Sequence, residues 1–422
     1  MPMHHVWFKN FNDFFSKTTK EFYDLNEKIT PETRKEISEK IGSVYAEFIE
    51  NKAIDIFYPT VNIENKYRDK IIVENPEVYE LMQIACSLTE TFQNDQNLTN
   101  HKTGYYTNFI NHFKSYKNHE LVLKLNEYLK PNPYGSSQSA IRLLSLNYEI
   151  NDSNKLKSNS FINVNPILIK LFKSKAFLIS ENIKLIEDFA NKSGFKNYYA
   201  KHKNYYAKLI SNYSKLCDFQ NMKVWLENKF SSKYQSYRII FSPLTGGFHN
   251  TMKFKNNDKN LEQTFMFVNA PYENIDNLPE KEFEIKSSKM ARVVFTEIDH
   301  NYVNPLTDKY NDELKNAMID YKFWNNQKGG KYQSSYNTFN EYMTWGVFNL
   351  YALDTYSKEN IDTIIKIQTD FINDKRKFNQ FRDFNKELIK QYNAKSKPKI
   401  EEIYKPILEW IEQKSVPNNV YN

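Results

Sequence analysis

Between Arg292 and Leu306 the chain reads Arg-Val-Val-Phe-Thr-Glu-Ile-Asp-His-Asn-Tyr-Val-Asn-Pro-Leu. Ala291, Val294, Phe295, Ile298 and Tyr302 recur at three- and four-residue steps, the spacing of one apolar helix face. Thr296, Glu297, His300 and Asn304 fall on the other side. Pro305 is expected to end the helix, because proline has no N–H to donate and disfavours helical angles in the residue before it. Such a helix must pack by one face and present a Glu, a His and two small polar groups on the other. Asp299 falls on neither face and is expected in a structural pair or in solvent. Tyr302 belongs to the stripe.

Glu297 and His300 form Glu-x-x-His, most of the His-Glu-x-x-His pattern of zinc peptidases. There, two histidines four apart ligate the metal and the Glu is the general base. Thr296 stands at the first His position. A hydrolytic zinc site needs three protein ligands and an open position for water, which a carboxylate deprotonates as it attacks a carbonyl. Glu297 suits the base and His300 one ligand. Glu341, within Thr338-Phe339-Asn340-Glu341-Tyr342-Met343-Thr344-Trp345, is the candidate for another. Trp345 and Phe348 share its helix face, and an ionised carboxylate among aromatics calls for a cation or an arginine. The plain alternative is a first-turn glutamate favouring the helix dipole. His249, just after Pro243-Leu244-Thr245-Gly246-Gly247, is the candidate to replace the ligand missing at Thr296. Thr296 holding a water and Asn304 ligating through its amide oxygen are alternatives.

Glycine is scarce, at 9 of 422 residues, which argues against Gly-rich phosphate loops and a doubly wound nucleotide-binding sheet. The net charge of +7 is a mild excess over this length and does not indicate a nucleic-acid protein. Tyr198–Lys208 interleaves aromatic and basic residues, which fits an amphipathic helix better than a nucleic-acid surface. Cys86 and Cys217 lie in apolar helical contexts and should be buried free thiols, and without a Cys-x-x-Cys no Cys-rich zinc site is expected. No apolar run reaches membrane-spanning length. The start, Met-Pro-Met-His-His-Val-Trp-Phe, lacks a signal-peptide apolar region. The expectation is a cytoplasmic protein, or a secreted or periplasmic one if a signal has been removed.

The pattern predicts an α+β protein, mostly helical. Residues 1–150 read as a helical N-terminal region with short strands at Ile54–Tyr58 and Ile71–Val73, and a helical pair over Asn10–Glu50. Pro76 opens a helix at Asn75–Glu77, and helices follow at Tyr105–Tyr116, His119–Leu129 and Ser136–Leu146. His101, His112 and His119 lack metal spacing and read as solvated or capping groups. A second helical region covers 151–232, with a polar loop at Asn151–Ser160 and helices Ser180–Lys192, Lys196–Cys217 and Asn221–Phe230. Region 233–357 holds three strand-like runs, Ser236–Phe241, His249–Phe254 and Gln263–Val268. They read as a small antiparallel sheet beside the motif helix Lys281–Asn304, with a turn at Asn256–Asn260. Helices Asp312–Trp324 and Asn337–Tyr356 follow. Region 358–422 holds helices Lys358–Asp374, Arg376–Asn393 and Ile400–Gln413.

Four stretches carry a resemblance. They are Glu74-Asn75-Pro76-Glu77-Val78-Tyr79-Glu80-Leu81, Ser242-Pro243-Leu244-Thr245-Gly246-Gly247, Thr296-Glu297-Ile298-Asp299-His300-Asn301-Tyr302-Val303-Asn304-Pro305 and Phe339-Asn340-Glu341-Tyr342. In this order they resemble an uncharacterised bacterial family of zincin-like proteins, grouped with gluzincin-type metallopeptidases, whose motif helix reads His-Glu-x-x-His before an apolar-Asn-Pro tail. The resemblance implies a zincin-like core, a zinc ion, Glu297 as general base, and His300 and Glu341 as metal ligands. It implies no ligand at Thr296. Two functions follow: a zinc-dependent hydrolase acting on peptides or proteins, or a catalytically degenerate metallopeptidase fold that binds a peptide or protein. A helical interaction or nucleic-acid-binding protein is the unrelated alternative.

Overall fold

The computed structural model describes residues 60–61, 68–131, 133–134, 136–159, 162–163, 177–255, 262–326 and 332–415. The helical pair expected over Asn10–Glu50, the strand at Ile54–Tyr58 and the turn at Asn256–Asn260 lie outside them. In chain order the strands are β1 (Thr60–Val61), β2 (Ile71–Glu74), β3 (Tyr148–Ile150), β4 (Leu156–Ser158), β5 (Ile162–Asn163), β6 (Ser236–Ser242), β7 (Asn250–Lys255) and β8 (Glu262–Asn269). The N-terminal helices are α1 (Glu77–Ser87), α2 (Glu90–Gln93), α3 (Gly104–Phe113), α4 (Glu120–Leu129) and α5 (Ser136–Ser145). Four more follow: α6 (Ile183–Ser193), α7 (Phe195–Lys201), α8 (Lys203–Leu216) and α9 (Phe219–Lys229). Beyond the sheet come α10 (Glu280–Lys309), α11 (Asn311–Ala317), α12 (Tyr321–Trp324) and α13 (Ser335–Thr355), then α14 (Ile361–Asp370), α15 (Phe381–Ala394) and α16 (Ile400–Ser415).

The protein is α+β, mostly helical with a small sheet. The sheet is mixed rather than antiparallel, with strand order β2-β6-β8-β7-β1-β5. β6 runs parallel to both β2 and β8, and only β7–β8 is an antiparallel hairpin in the run first read as three antiparallel strands. The chain does not reverse after β6 because Pro243–Gly247 crosses to the α2–α3 connection. There the Phe248 N–H donates to the Asn97 carbonyl at 2.9 Å and Thr245 bridges Thr99. A Cβ on Gly246 would stand under 3.0 Å from the Gln96 and Asn97 carbonyls, so only glycine permits this approach.

The polar stretch Asn151–Ser160 is largely a hairpin rather than a loop: β3 pairs with β4 around an Asn151–Asn154 turn with Asn154 at φ 55°. The expected Lys196–Cys217 helix breaks at His202 into α7 and α8, and Asp312–Trp324 breaks into α11 and α12. His119 caps α4, its Nδ1 accepting from the Leu121 N–H at 3.2 Å. Cys86 and Cys217 are buried free thiols. No helix among the described residues is long and apolar enough to cross a membrane.

Among the described residues two large apolar cores, and a smaller one around Ile240, Phe265 and Phe267, organise these elements. One gathers the N-terminal helices around Leu81, Phe109, Leu125 and Phe189. The other takes one sheet face with α10, α13, α15 and α16, around Phe241, Phe295, Tyr302, Phe348 and Leu388. The apolar stripe of α10 is buried as its spacing requires: Ala291, Val294, Phe295, Ile298 and Tyr302 are at most 1% exposed. Burying that many large apolar side chains, at roughly 1.5–3 kcal/mol each, is what holds α10 in place.

Pro305 does not end the helix, which runs to Lys309. A proline there deprives the Asn301 carbonyl of its N–H partner four residues on. Tyr234 replaces it, its hydroxyl donating to the Asn301 carbonyl at 2.6 Å. That external donor removes the main cost of continuing through the proline.

Candidate functional site

The polar face of α10 lies against α13. The two helices run antiparallel, so His300 meets Glu341 and, two turns away, Arg292 meets Trp345. His300 and Glu341 are each 6% exposed, and their Nε2 and Oε1 atoms are 3.4 Å apart. Nδ1 of His300 lies 3.3 Å from Asn304 Oδ1, one turn on. Asn304 thus orients the imidazole. Burial pushes His300 below its usual pKa, opposed by Glu341 and Asn304.

Glu341 is not a lone carboxylate. Arg376 Nη1 stands 3.1 Å from its Oε2, and Arg376 Nη2 donates to the Tyr332 hydroxyl at 2.7 Å. Burial alone would raise the Glu341 carboxyl, but Arg376 and then His300 override it and hold it at about 2. The expected helix over Arg376–Asn393 begins only at Phe381. Before it, Phe371–Lys375 forms a wide π turn, closed by the Arg376 N–H on the Phe371 carbonyl at 3.0 Å, with Lys377 at φ 62°. Single π turns of this kind often aim side chains into functional sites. This one sends Arg376 back over Trp345, 5.3 Å from the ring centroid, to reach Glu341.

Glu297 is raised to about 7, by burial first and by the charge of Glu341, with Arg376 and Arg142 opposing. A carboxyl near 7 can exchange a proton at neutral pH. Asp299, expected in a pair or in solvent, is 0% exposed with both carboxylate oxygens unpartnered among the described residues. Burial and then Glu297 push it well above the carboxylate range, so it is held as the neutral acid. Its place between the two faces of α10 became interior because α13 and the sheet close on α10 from both sides.

Thr296 does not offer a free hydroxyl. Its Oγ1 donates to the Arg292 carbonyl at 3.0 Å, within its own helix. His249 lies beside the Gly246 turn, just before β7. Burial, followed by the charges of Arg142 and Arg292, holds it at about 3, and its buried Nε2 has no partner among the described residues. Among the described residues no three His, Cys, Asp or Glu side chains come together in a group that could hold a metal ion. His300 and Glu341 converge; His249 does not complete a third donor with them. The donor set among the described residues is therefore short of the three that a zinc hydrolase site requires.

Sequence reasoning missed the arginines. Arg142 of α5 is 2% exposed, donates from Nη1 to Asn250 Oδ1 at 2.6 Å and from Nη2 to the Phe248 carbonyl at 3.1 Å, and its charge reaches Glu297 and His249. The guanidinium of Arg292 packs beside the stacked Trp345 and Phe371 rings, 4.7 Å from each centroid. The one available signal was the need of an ionised Glu341 for a counter-charge. Which arginine would answer depended on a backbone turn that no local pattern announces.

No curated protein and no solved structure matches this chain. A family model described as a domain of unknown function, DUF4932, matches residues 71–347. That span takes in β2, the Gly246 turn, Glu297, His300 and Glu341, and stops short of Phe371 and Arg376. It covers more than half of the 422 residues, and the chain belongs to the DUF4932 family.

Proposed function

We propose that this is a metallopeptidase-like site turned to binding: a peptide- or protein-binding module on a zincin-like core, with an arginine where the ancestral chemistry would use a metal. The observation that carries this is the Arg376–Glu341 ion pair at 3.1 Å. It gives the buried carboxylate its positive partner without a cation from solution, and a zinc ion at Glu341 would stand against that guanidinium. The back-bonded Thr296 and the two-donor set support the same reading.

A second reading, a zinc-dependent hydrolase with Glu297 as base, is favoured by one specific distance. Two ligands of a tetrahedral zinc, with bonds of about 2.0–2.2 Å, stand about 3.4 Å apart, and His300 Nε2 and Glu341 Oε1 are separated by 3.4 Å. Elemental analysis of the purified protein decides between them, run on wild type, on His300→Ala, and on Thr296→His with Arg376→Met. The binding reading expects far less than one zinc per chain in wild type after zinc addition and dialysis, and a gain in the double variant. About one zinc per wild-type chain, lost in His300→Ala, overturns it and restores the hydrolase.

A further inference from the structure

We infer that the site binds a carboxylate-bearing peptide, with Arg292 as the residue that reads the carboxylate. The inference rests on the binding reading above and deepens it by naming the ligand's chemistry.

The first observation is Arg292 itself. Its guanidinium packs beside two aromatic rings, 4.7 Å from each centroid, that stack on one another at 5.6 Å; among the described residues its buried Nε has no partner and no carboxylate pairs with it. A guanidinium carries five donors in a fixed fork, and contact with aromatic rings satisfies none of them. Contact with two rings at once restricts where the fork can move, and a guanidinium fork matches a carboxylate bidentately. Arg292 is itself only partly buried and the neighbouring Phe371 is 38% exposed, so this end of the site borders solvent.

The second observation is the balance of charge. Arg142, Arg292 and Arg376 all act on His249, and Arg376 also acts on Arg292. Among the described residues, against these three cations stand Glu341, already held by Arg376, and Glu297, while the buried Asp299 is held neutral. The region carries surplus positive charge in a partly desolvated setting, where an unmatched charge is costly and an incoming anion is strongly favoured.

The third observation is layout. Arg292, Thr296 and His300 follow one another at four-residue steps along one side of α10. Eight residues of helix put Arg292 roughly 12 Å from His300. An extended peptide covers that span in about three or four residues, at roughly 3.3 Å each. A ligand lying along α10 would therefore place a polar group at His300 and Glu297 and a carboxylate at Arg292. That carboxylate can be a chain terminus or an acidic side chain.

The test is calorimetric titration of the full chain with three peptides: acetyl-tetra-alanine with a free carboxylate, the same peptide as its amide, and the amide with aspartate at the last position. The expected result is at least tenfold tighter binding of one or both carboxylate peptides than of the plain amide. Tight binding of the free acid alone identifies a terminal carboxylate; equal binding of the aspartyl amide admits the side chain. In Arg292→Gln the preference should vanish, and in Arg292→Lys part of it should remain. Equal binding of all three, binding of none, or an unchanged preference in Arg292→Gln overturns the inference. The wild-type comparison needs no variant to fold. Zinc content measured on the same samples separates the two claims. A carboxylate preference in a protein holding one zinc per chain refutes the metal-free reading alone, and a metal-free protein without the preference refutes this inference alone.

Discussion

Replacing Arg376 with Met should destabilise the protein by about 2–3 kcal/mol at pH 7, and the loss should fade in acid. Glu341 is held at about 2 against 4.5 for an ordinary glutamate, a difference worth about 3 kcal/mol at roughly 1.4 kcal/mol per tenfold change. Arg376 is the largest of the influences that lower it, so most of that figure goes with the guanidinium. Breaking a buried ion pair from one side costs a similar amount, about 3–5 kcal/mol, here reduced because the Arg376 side chain is 24% exposed. The sign with pH follows from the depressed carboxyl. Its stabilisation is complete above the unfolded value of 4.5 and disappears as pH falls toward about 2. Urea unfolding followed by tryptophan fluorescence at pH 7 and pH 3 would measure the full effect and its decline. Glu341→Gln and the double variant complete a cycle, and the double variant should lose less than the two single losses combined. Equal losses at the two pH values, or strict additivity, would refute the claim that this ion pair neutralises the site.

Glu297→Gln tests the other carboxyl. A folded-state value raised to about 7 means that stability is full below the unfolded value of 4.5 and falls as pH rises through 7. Gln at this position should therefore raise the thermal midpoint at pH 8, by on the order of 1 kcal/mol of stability, and leave it nearly unchanged at pH 4.5; a variant equally stable to wild type at pH 8 would show that Glu297 is not strained by ionisation. Tyr234→Phe removes the donor that serves the Asn301 carbonyl above Pro305 and should cost about 1–3 kcal/mol. Adding Pro305→Ala restores an N–H four residues on and should recover most of it. Additive losses in the urea midpoint would mean that the tyrosine does not compensate for the proline.

The helices were legible because their apolar spacing is local. Ala291, Val294, Phe295, Ile298 and Tyr302 declare a buried face whatever lies against it, and all five are buried. Four strands of the sheet, β2, β6, β7 and β8, were legible for the same reason, but the two-residue β1 and β5 were not, and neither was the pairing. Whether β6 turns back on β7 or leaves for Asn97 is decided by contacts more than a hundred residues apart. The extent of α10 failed at Pro305 for a related reason. The rule that proline ends a helix assumes that nothing else serves the orphaned carbonyl, and Tyr234 does.

By itself the sequence determined a mostly helical α+β chain, a helix with one apolar face, and a Glu-x-x-His on its other face with threonine where a metal ligand would stand. It also carried the condition that an ionised Glu341 among aromatics needs a cation. Which cation answers was decided only by tertiary structure. Arg376 arrives through a π turn between two helices, and Arg292 is fixed by rings from α13 and from that same turn. Side-chain spacing along one helix is set by the backbone and can be read from the chain. The partner that faces it comes from another element, whose approach depends on the packing of the whole core.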